Sequence, residues 1–85
     1  MYSTDKRILR LIDLLIFQRK ISYVKEFCDE IGILTQSVSK IKKGSTHFTV
    51  NHIEKICSKY NVNANWIFGV EDEVFNDNNT IKLDI

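Results

Sequence analysis

The sequence predicts a single all-α domain of five helices, and three observations lead to this fold class. The chain has 85 residues, enough for one domain with one modest core. Its apolar residues recur at spacings of three and four positions in successive segments, as on the buried faces of helices. It has no proline, the residue that most often breaks a helix, and its 44% of hydrophobic residues is ordinary for a globular protein.

The first helix is expected over residues 5–19, with Thr4 or Asp5 as its N-terminal cap. Its buried face should consist of aliphatic residues at helical spacing: Ile8, Leu9, Leu11, Ile12, Leu15 and Ile16. Leu14 and Phe17 lie nearly opposite this face. Therefore either later helices surround the first one, or part of it forms a contact between subunits.

The second helix is expected over residues 23–31, with Ser22 as the nearest capping side chain. Gly32 should end it, because the left-handed backbone of a helix terminus disfavours a Cβ atom. Its buried stripe should contain four residues: Val24, Phe27, Cys28 and Ile31.

The third helix is expected over residues 35–43, ending at Gly44, and its pattern is unusual. Val38 and Ile41 are its only apolar residues, three positions apart, and every other position is polar. So thin a buried stripe leaves most of the helix surface free for another partner.

Two further helices complete the predicted domain. After a loop over residues 44–49, Thr49 should cap a helix over 50–60 that Asn61 closes. Its core positions are expected to be Val50, Ile53, Ile56, Cys57 and Tyr60. Asn63 should cap a last helix over 64–68 that ends at Gly69 and inserts Trp66 and Ile67 into the core.

The charge distribution divides the chain into a body, residues 1–70, and an acidic tail, residues 71–85. The net charge of +1 combines a tail with five acidic residues and one lysine and a body with 11 basic and 6 acidic residues. A basic body favours a polyanionic partner, although weakly on its own. The cluster around Glu71–Glu73 is interpreted as a solvated linker, and the tail as flexible or dimerising. Its end alternates polar residues with Ile81, Leu83 and Ile85, as a lone strand does.

Several function classes are not expected from this sequence. Cys28 and Cys57 form no Cys-x-x-Cys pair and are interpreted as small buried side chains of a reducing cytoplasm. His47 and His52 lack a third metal ligand nearby, and Ser37 has no His–Asp partner. We therefore expect no enzyme activity, metal, cofactor or small-molecule substrate. No signal peptide or membrane-spanning stretch is visible, which favours a cytoplasmic protein.

The informative stretch is residues 27–44, FCDEIGILTQSVSKIKKG. It supplies a small residue where two helices cross, Cys28, a turn glycine, Gly32, and a following apolar residue, Ile33. Val38 and Ile41 then anchor the next helix, which can project into a DNA major groove about 12 Å wide. This segment, together with NANWIFG at residues 63–69, resembles the lambda-repressor-like, Xre-type helix-turn-helix domains, especially the phage-repressor-like ones. The resemblance covers roughly residues 5–75.

The resemblance implies which side chains meet DNA. Three are implied to contact base edges: Thr35, Gln36 and Lys40. Seven are implied to contact the DNA backbone: Ser37, Ser39, Lys42, Lys43, Ser45, Thr46 and His47. The sequence departs from the family pattern at Cys28, usually alanine, at Phe48, usually proline, and at Leu34, usually a capping Ser or Thr. Thr35 could cap instead of Leu34, which would shift the helix start by one residue.

The implied function is sequence-specific binding of double-stranded DNA by a transcriptional regulator, a phage-type repressor that acts by occupying an operator. The alternative is an antitoxin-like protein-interaction module that also binds DNA. A homodimer is expected, since one such module reads only half a site. One candidate interface is the surface formed by Leu14, Phe17, Ile67, Phe68 and Val70. The other is the alternating tail, with Ile81, Leu83 and Ile85.

Overall fold

The structure, a computed structural model, describes residues 2–76 and contains the five expected helices. They are α1 (Ser3–Phe17), α2 (Val24–Ile31), α3 (Thr35–Lys42), α4 (Val50–Tyr60) and α5 (Ala64–Ile67). No strand is present within this range, apart from one isolated antiparallel bridge between Val62 and Phe75. The all-α fold class is therefore confirmed.

One core joins all five helices. The expected faces of α1 and α2 are confirmed, with Leu9, Ile16 and Val24 partly buried at the margin. The remaining core side chains are at most 9% exposed: Ile8, Leu11, Ile12, Leu15, Ile21, Phe27, Cys28, Ile31, Ile33, Val38, Ile41, Phe48, Ile53, Ile56, Val62 and Ile67. Burial on this scale is the main favourable contribution to folding, at about 25 cal/mol per Å² of apolar surface.

The expected cap of α1 is wrong. The helix begins two residues earlier, at Ser3, and its N-cap Tyr2 makes no capping hydrogen bond through its side chain. Thr4 lies inside the helix. Asp5 lies three residues before Ile8, on the buried face, and is only 1% exposed. It therefore faces the interior instead of the free amides of the first turn.

The ends of the other helices follow the sequence closely. Gly32 closes α2 with a φ of 73°, and Asn61 closes α4 with a φ of 55°, both left-handed as expected. Ser22 is not the cap of α2, because Tyr23 occupies that position without a side-chain hydrogen bond. Arg19 follows α1 with a φ of 60°, a left-handed conformation at a position that has no glycine to indicate it.

The start of α4 carries a reciprocal cap. Thr49 Oγ1 accepts from the His52 backbone N–H at 3.2 Å, and His52 Nδ1 accepts from the Thr49 N–H at 3.0 Å. The expectation that Val50 is a core residue is wrong: it is 71% exposed. It lies at the edge of the apolar stripe, in the first turn, and its side chain stays in solvent.

The residues after α5 pack back onto the segment before it. Asn63 N–H donates to Val74 O at 2.8 Å, and Asn76 N–H donates to Asn61 O at 2.9 Å. The Lys20 ammonium lies 4.0 Å from the centre of the Phe75 ring. Residues 71–76 thus form part of the folded domain surface. The apolar positions of the tail, Ile81, Leu83 and Ile85, lie outside the described residues.

The proposed helical dimer surface needs one correction. Ile67 is fully buried, so it belongs to the core and cannot form part of an exposed patch. Phe17, Phe68 and Val70 are 84%, 56% and 74% exposed. Trp66, expected in the core, is only partly buried against it.

Candidate functional site

The surface of α3 is polar on every side except the one that packs on the domain. Val38 and Ile41 are 3% and 0% exposed, as the thin stripe predicted. At 3.6 residues per turn, the side directly opposite them carries Gln36, Ser39 and Lys40. These three side chains are exposed. An α-helix that is anchored on one edge and polar on the opposite edge can enter a groove without unfolding.

The start of α3 retains the register that the family pattern implies. Leu34 is the N-cap, with φ −79° and ψ 144°, and Thr35 is the first helical residue. The alternative in which Thr35 caps the helix is therefore wrong, and Thr35 and Gln36 lie exposed in the first turn. Leu34 makes no capping hydrogen bond and is 68% exposed.

The end of α3 is a tight turn that leads directly into the polar loop. Gly44 has a φ of 82°, and its N–H donates to Ile41 O at 2.9 Å. Ser45 N–H donates to Lys40 O, also at 2.9 Å. This pair of bonds is a Schellman motif, which needs a left-handed residue at the glycine position. It holds the exposed residues Lys43 and Ser45 next to the last turn of the helix.

A shallow cleft of about 250 Å³ separates α3 from the start of α4. The α2–α3 turn supplies Leu34 to its wall, and α3 supplies Ser37. The loop after α3 and the first turn of α4 supply the remaining polar side chains: Thr46, His47, Thr49 and His52. Ser37, Thr46 and His47 are half-buried, so they lie at the side of the exposed helix and not on its outermost edge.

The loop after α3 is attached to α1 through Asp5. His47 Nδ1 lies 2.6 Å from Asp5 Oδ2, and the Phe48 N–H donates to Asp5 Oδ1 at 3.0 Å. The Tyr2 ring stacks on the His47 imidazole, with centroids 3.8 Å apart and planes 4° from parallel. Phe48 itself is 7% exposed. One buried carboxylate thus fixes two consecutive loop residues, and an aromatic ring covers one face of the imidazole.

The electrostatics of this surface are one-sided. From Ile31 to Ile53 the chain contains no acidic residue, and the segment carries Lys40, Lys42 and Lys43. Among residues 2–76, the ion pairs that involve lysine are Lys25 with Asp29 and Lys59 with Glu30, so the three lysines near α3 form none there. Their charge is available to an external anion.

His52 and the two cysteines have shifted pKa values. Burial, with a smaller effect of the Lys55 charge, lowers the pKa of His52 below its ordinary value of 6.5. The neutral ring is the form that can accept the Thr49 N–H. Burial raises the pKa of the Cys28 thiol, and likewise that of Cys57; both cysteines are free.

The structure brings the ten implied DNA-contacting residues into one continuous surface made of α3 and the loop that follows it. Seven are exposed, and three line the adjoining cleft. The sequence did not indicate the roles of Asp5 and Tyr2, which contact the loop after α3 on the side of α1. A signal for Asp5 did exist, because it continues the helical stripe of Ile8, Ile12 and Leu15 and must therefore be buried.

Metal-binding clusters and membrane spans were searched for in the part of the chain that the structure describes. Residues 2–76 contain no group of three or more His, Cys, Asp or Glu side chains arranged to hold a metal ion. None of the helices described is both long and apolar enough to cross a bilayer.

Comparison with known families gives a match. The sequence profile of a family described as helix-turn-helix matches residues 11–67, more than half of the chain. The matched region runs from within α1 to the last residue of α5 and includes all of the surface around α3. Comparisons with curated proteins and with solved structures gave no match.

Proposed function

The chain belongs to the Xre/lambda-repressor-like helix-turn-helix family, and from this membership we propose that it binds operator DNA sequence-specifically and represses transcription. The family is a DNA-binding regulatory domain, so DNA binding and transcription regulation are its general function. The finer part of the proposal concerns the operator, the residues that read it and the dimer.

The observation that carries the proposal is the exposed polar edge of α3. Gln36 and Lys40 lie on the side opposite the two buried anchors, one turn apart. A glutamine can pair with adenine through two hydrogen bonds, and a lysine can donate to guanine O6 and N7. With Thr35 at the first helical position, these side chains are the proposed base readers.

The proposed backbone contacts surround the base readers. They come from hydroxyl groups, cations and one imidazole: Ser37, Ser39, Lys42, Lys43, Ser45, Thr46 and His47. Such groups bind phosphate oxygens and set the position of the helix without reading sequence. The absence of acidic residues between Ile31 and Ile53 supports this assignment, because no like charge opposes the phosphates.

A homodimer completes the proposal. Two copies would place two α3 helices in successive major grooves, one helical turn apart. The exposed apolar side chains of Phe17, Phe68 and Val70, with the half-buried Leu14, favour the helical surface as the contact between subunits. A dimer bound at a promoter would act by steric exclusion of RNA polymerase.

The test is a selection of bound duplexes from a random pool, followed by affinity measurements on the recovered sequence. With about four phosphates contacted per subunit, the dimer should show a slope of roughly −7 for log affinity against log salt concentration. The recovered sequence should contain two related half-sites. Failure to bind any duplex at low salt, or a slope near zero, would overturn the proposal.

A further inference from the structure

The buried carboxylate of Asp5 acts on the loop that follows α3. Asp5 is 1% exposed and is bonded to His47 Nδ1 and to the Phe48 N–H. These two bonds join α1 to residues 42 and 43 positions later in the chain. Asp5 therefore fixes the position of the loop and the orientation of one imidazole ring within it.

Packing alone does not account for an acidic side chain at this position. Asp5 shares the stripe of Ile8 and Ile12, where an aliphatic residue would fill the space without removing a charge from water. Replacing buried polar pairs by apolar residues is often neutral or stabilising. The carboxylate instead fixes the orientation of the imidazole ring. It binds Nδ1 of His47 and leaves Nε2 for another partner.

The His47 side chain is 38% exposed. Because Nδ1 faces the buried carboxylate of Asp5, Nε2 is the ring nitrogen left for an external partner. Tyr2 covers one ring face. The ring also lines the cleft beside Ser37, within the surface that we propose meets DNA.

Given the proposed DNA-binding function, on which this inference rests, the geometry points to Asp5 as a positioning residue that holds His47 as an imidazolium against a DNA phosphate. In the neutral ring, an Nδ1–H bound to Asp5 leaves a lone pair on Nε2, which repels a phosphate oxygen. One proton from solvent turns Nε2 into a charged donor, and the ring then lies between two anionic oxygens. The protonated ring is the form that binds the phosphate, and no covalent bond changes.

The titratable groups around the ring come from three elements. α1 supplies Asp5, and its N-cap residue supplies the Tyr2 phenol. α4 supplies His52, on the other side of the cleft. The α3 residues that line the cleft, Ser37 and Ile41, carry no charge. His52 is therefore the other histidine whose titration must be separated from that of His47.

The experiment measures the affinity for the duplex recovered by selection at fixed salt, from about pH 8 down to about pH 5.5, the interval across which imidazole ordinarily changes charge. Wild-type affinity should rise about tenfold per subunit on acidification. His47→Gln should bind with a flat pH profile and with a salt slope smaller in magnitude by about 0.9 per subunit. His52→Gln, which keeps a side chain suited to the α4 cap, should retain the wild-type pH response.

The Asp5→Asn variant tests whether Asp5 positions His47 or serves the fold alone. If Asp5 acts through His47, Asp5→Asn should lose the pH response, and the double variant with His47→Gln should bind no more weakly than the weaker single variant. A residue that serves the fold alone would leave the pH response intact and give additive losses. If Asp5→Asn fails to fold in a thermal melt, His47→Gln decides alone: a pH response equal to that of wild type overturns the inference.

The same data separate this inference from the proposed function. Wild-type protein that binds the selected duplex with a flat pH profile overturns the role of His47 and leaves DNA binding in place. Wild-type protein that binds no duplex overturns both.

Discussion

The side-chain amide of Asn63 donates a hydrogen bond of 2.7 Å to the carboxylate of Glu71, eight residues later. The other carboxylate oxygen accepts from the Asn65 amide at 2.8 Å. Asn63 is 8% exposed and also caps α5 through its Oδ1. Glu71 thus connects the start of α5 to the segment that packs back over it, in a region where the charge pattern predicted only a solvated linker.

This arrangement makes the stability of the domain sensitive to acid. Hydrogen bonds from Asn63 and then from Asn65 lower the pKa of Glu71 below its ordinary 4.5. As the pH falls, the unfolded chain takes up the proton first. The stabilisation is therefore complete above the ordinary carboxyl range and is lost as the pH falls through the lowered folded-state pKa. Thermal melts at decreasing pH should show a smaller loss for Glu71→Gln than for wild type.

Glu73→Gln is the matched control, because Glu73 contributes its backbone carbonyl to Asn63 and its side chain is not part of the contact. It should follow the wild-type acid response. Equal acid sensitivity in wild type and Glu71→Gln would show that the carboxylate does not stabilise this segment.

A serine at position 34 should stabilise the domain more than an alanine does. It is the N-cap of α3 with the extended backbone that a cap requires, yet it supplies no hydrogen-bond acceptor. Leu34→Ser should accept a first-turn N–H and raise the free energy of unfolding by about 1 kcal/mol over Leu34→Ala, as measured by urea denaturation. The alanine variant removes the exposed side chain without adding an acceptor. Serine and alanine variants of equal stability would contradict the prediction.

Ile67 and Phe68 are adjacent, but alanine substitutions at the two positions should have different effects. Ile67 is fully buried, so Ile67→Ala should lower the free energy of unfolding by about 2–5 kcal/mol. Phe68 is 56% exposed, so Phe68→Ala should change monomer stability little and weaken the proposed dimer. Sedimentation over a range of protein concentrations measures the dimer. If removal of residues 77–85 yields a monomer while Phe68→Ala leaves the dimer intact, the tail is the interface.

The proposed base readers and the proposed backbone contacts should be distinguishable by their effects on DNA affinity. On the selected duplex, Gln36→Ala and Lys40→Ala should each weaken binding by about 1–3 kcal/mol. On random duplex Gln36→Ala should have little effect, because a non-specific complex makes no adenine contact there. Lys43→Ala, which removes a proposed phosphate contact, should weaken binding to both duplexes by similar factors. Unchanged affinity of Gln36→Ala for the selected duplex would mean that another residue reads that base.

The sequence predicted the helices and the exposed edge of α3 because both depend on local spacing. Val38 and Ile41 alone define which side of α3 is buried, and Gly32 and Gly44 mark backbone that an L side chain disfavours. Local spacing predicted the wrong role where a side chain bonds to residues far away in the sequence. Asp5 is a good capping residue, but its partners are His47 and Phe48.

The segment after α5 shows the same limit. Glu71 belongs to an acidic cluster, and clusters of that kind are usually solvated. Its role depends on a chain reversal that places Val74 and Asn76 beside residues 61–63. A periodic pattern of apolar residues does not indicate such a reversal, because the pairing involves single backbone groups and not a strand.

The separation of 42 residues between Asp5 and His47 also has a kinetic consequence. A turn of helix forms in well under a microsecond, whereas a contact that closes a long loop must first overcome the chain entropy of that loop. During folding, α2 and α3 can therefore pair before α1 arrives. The loop after α3 takes its final shape only when α1 docks, so during folding the exposed surface of α3 should form earlier than the loop that we propose contacts phosphates.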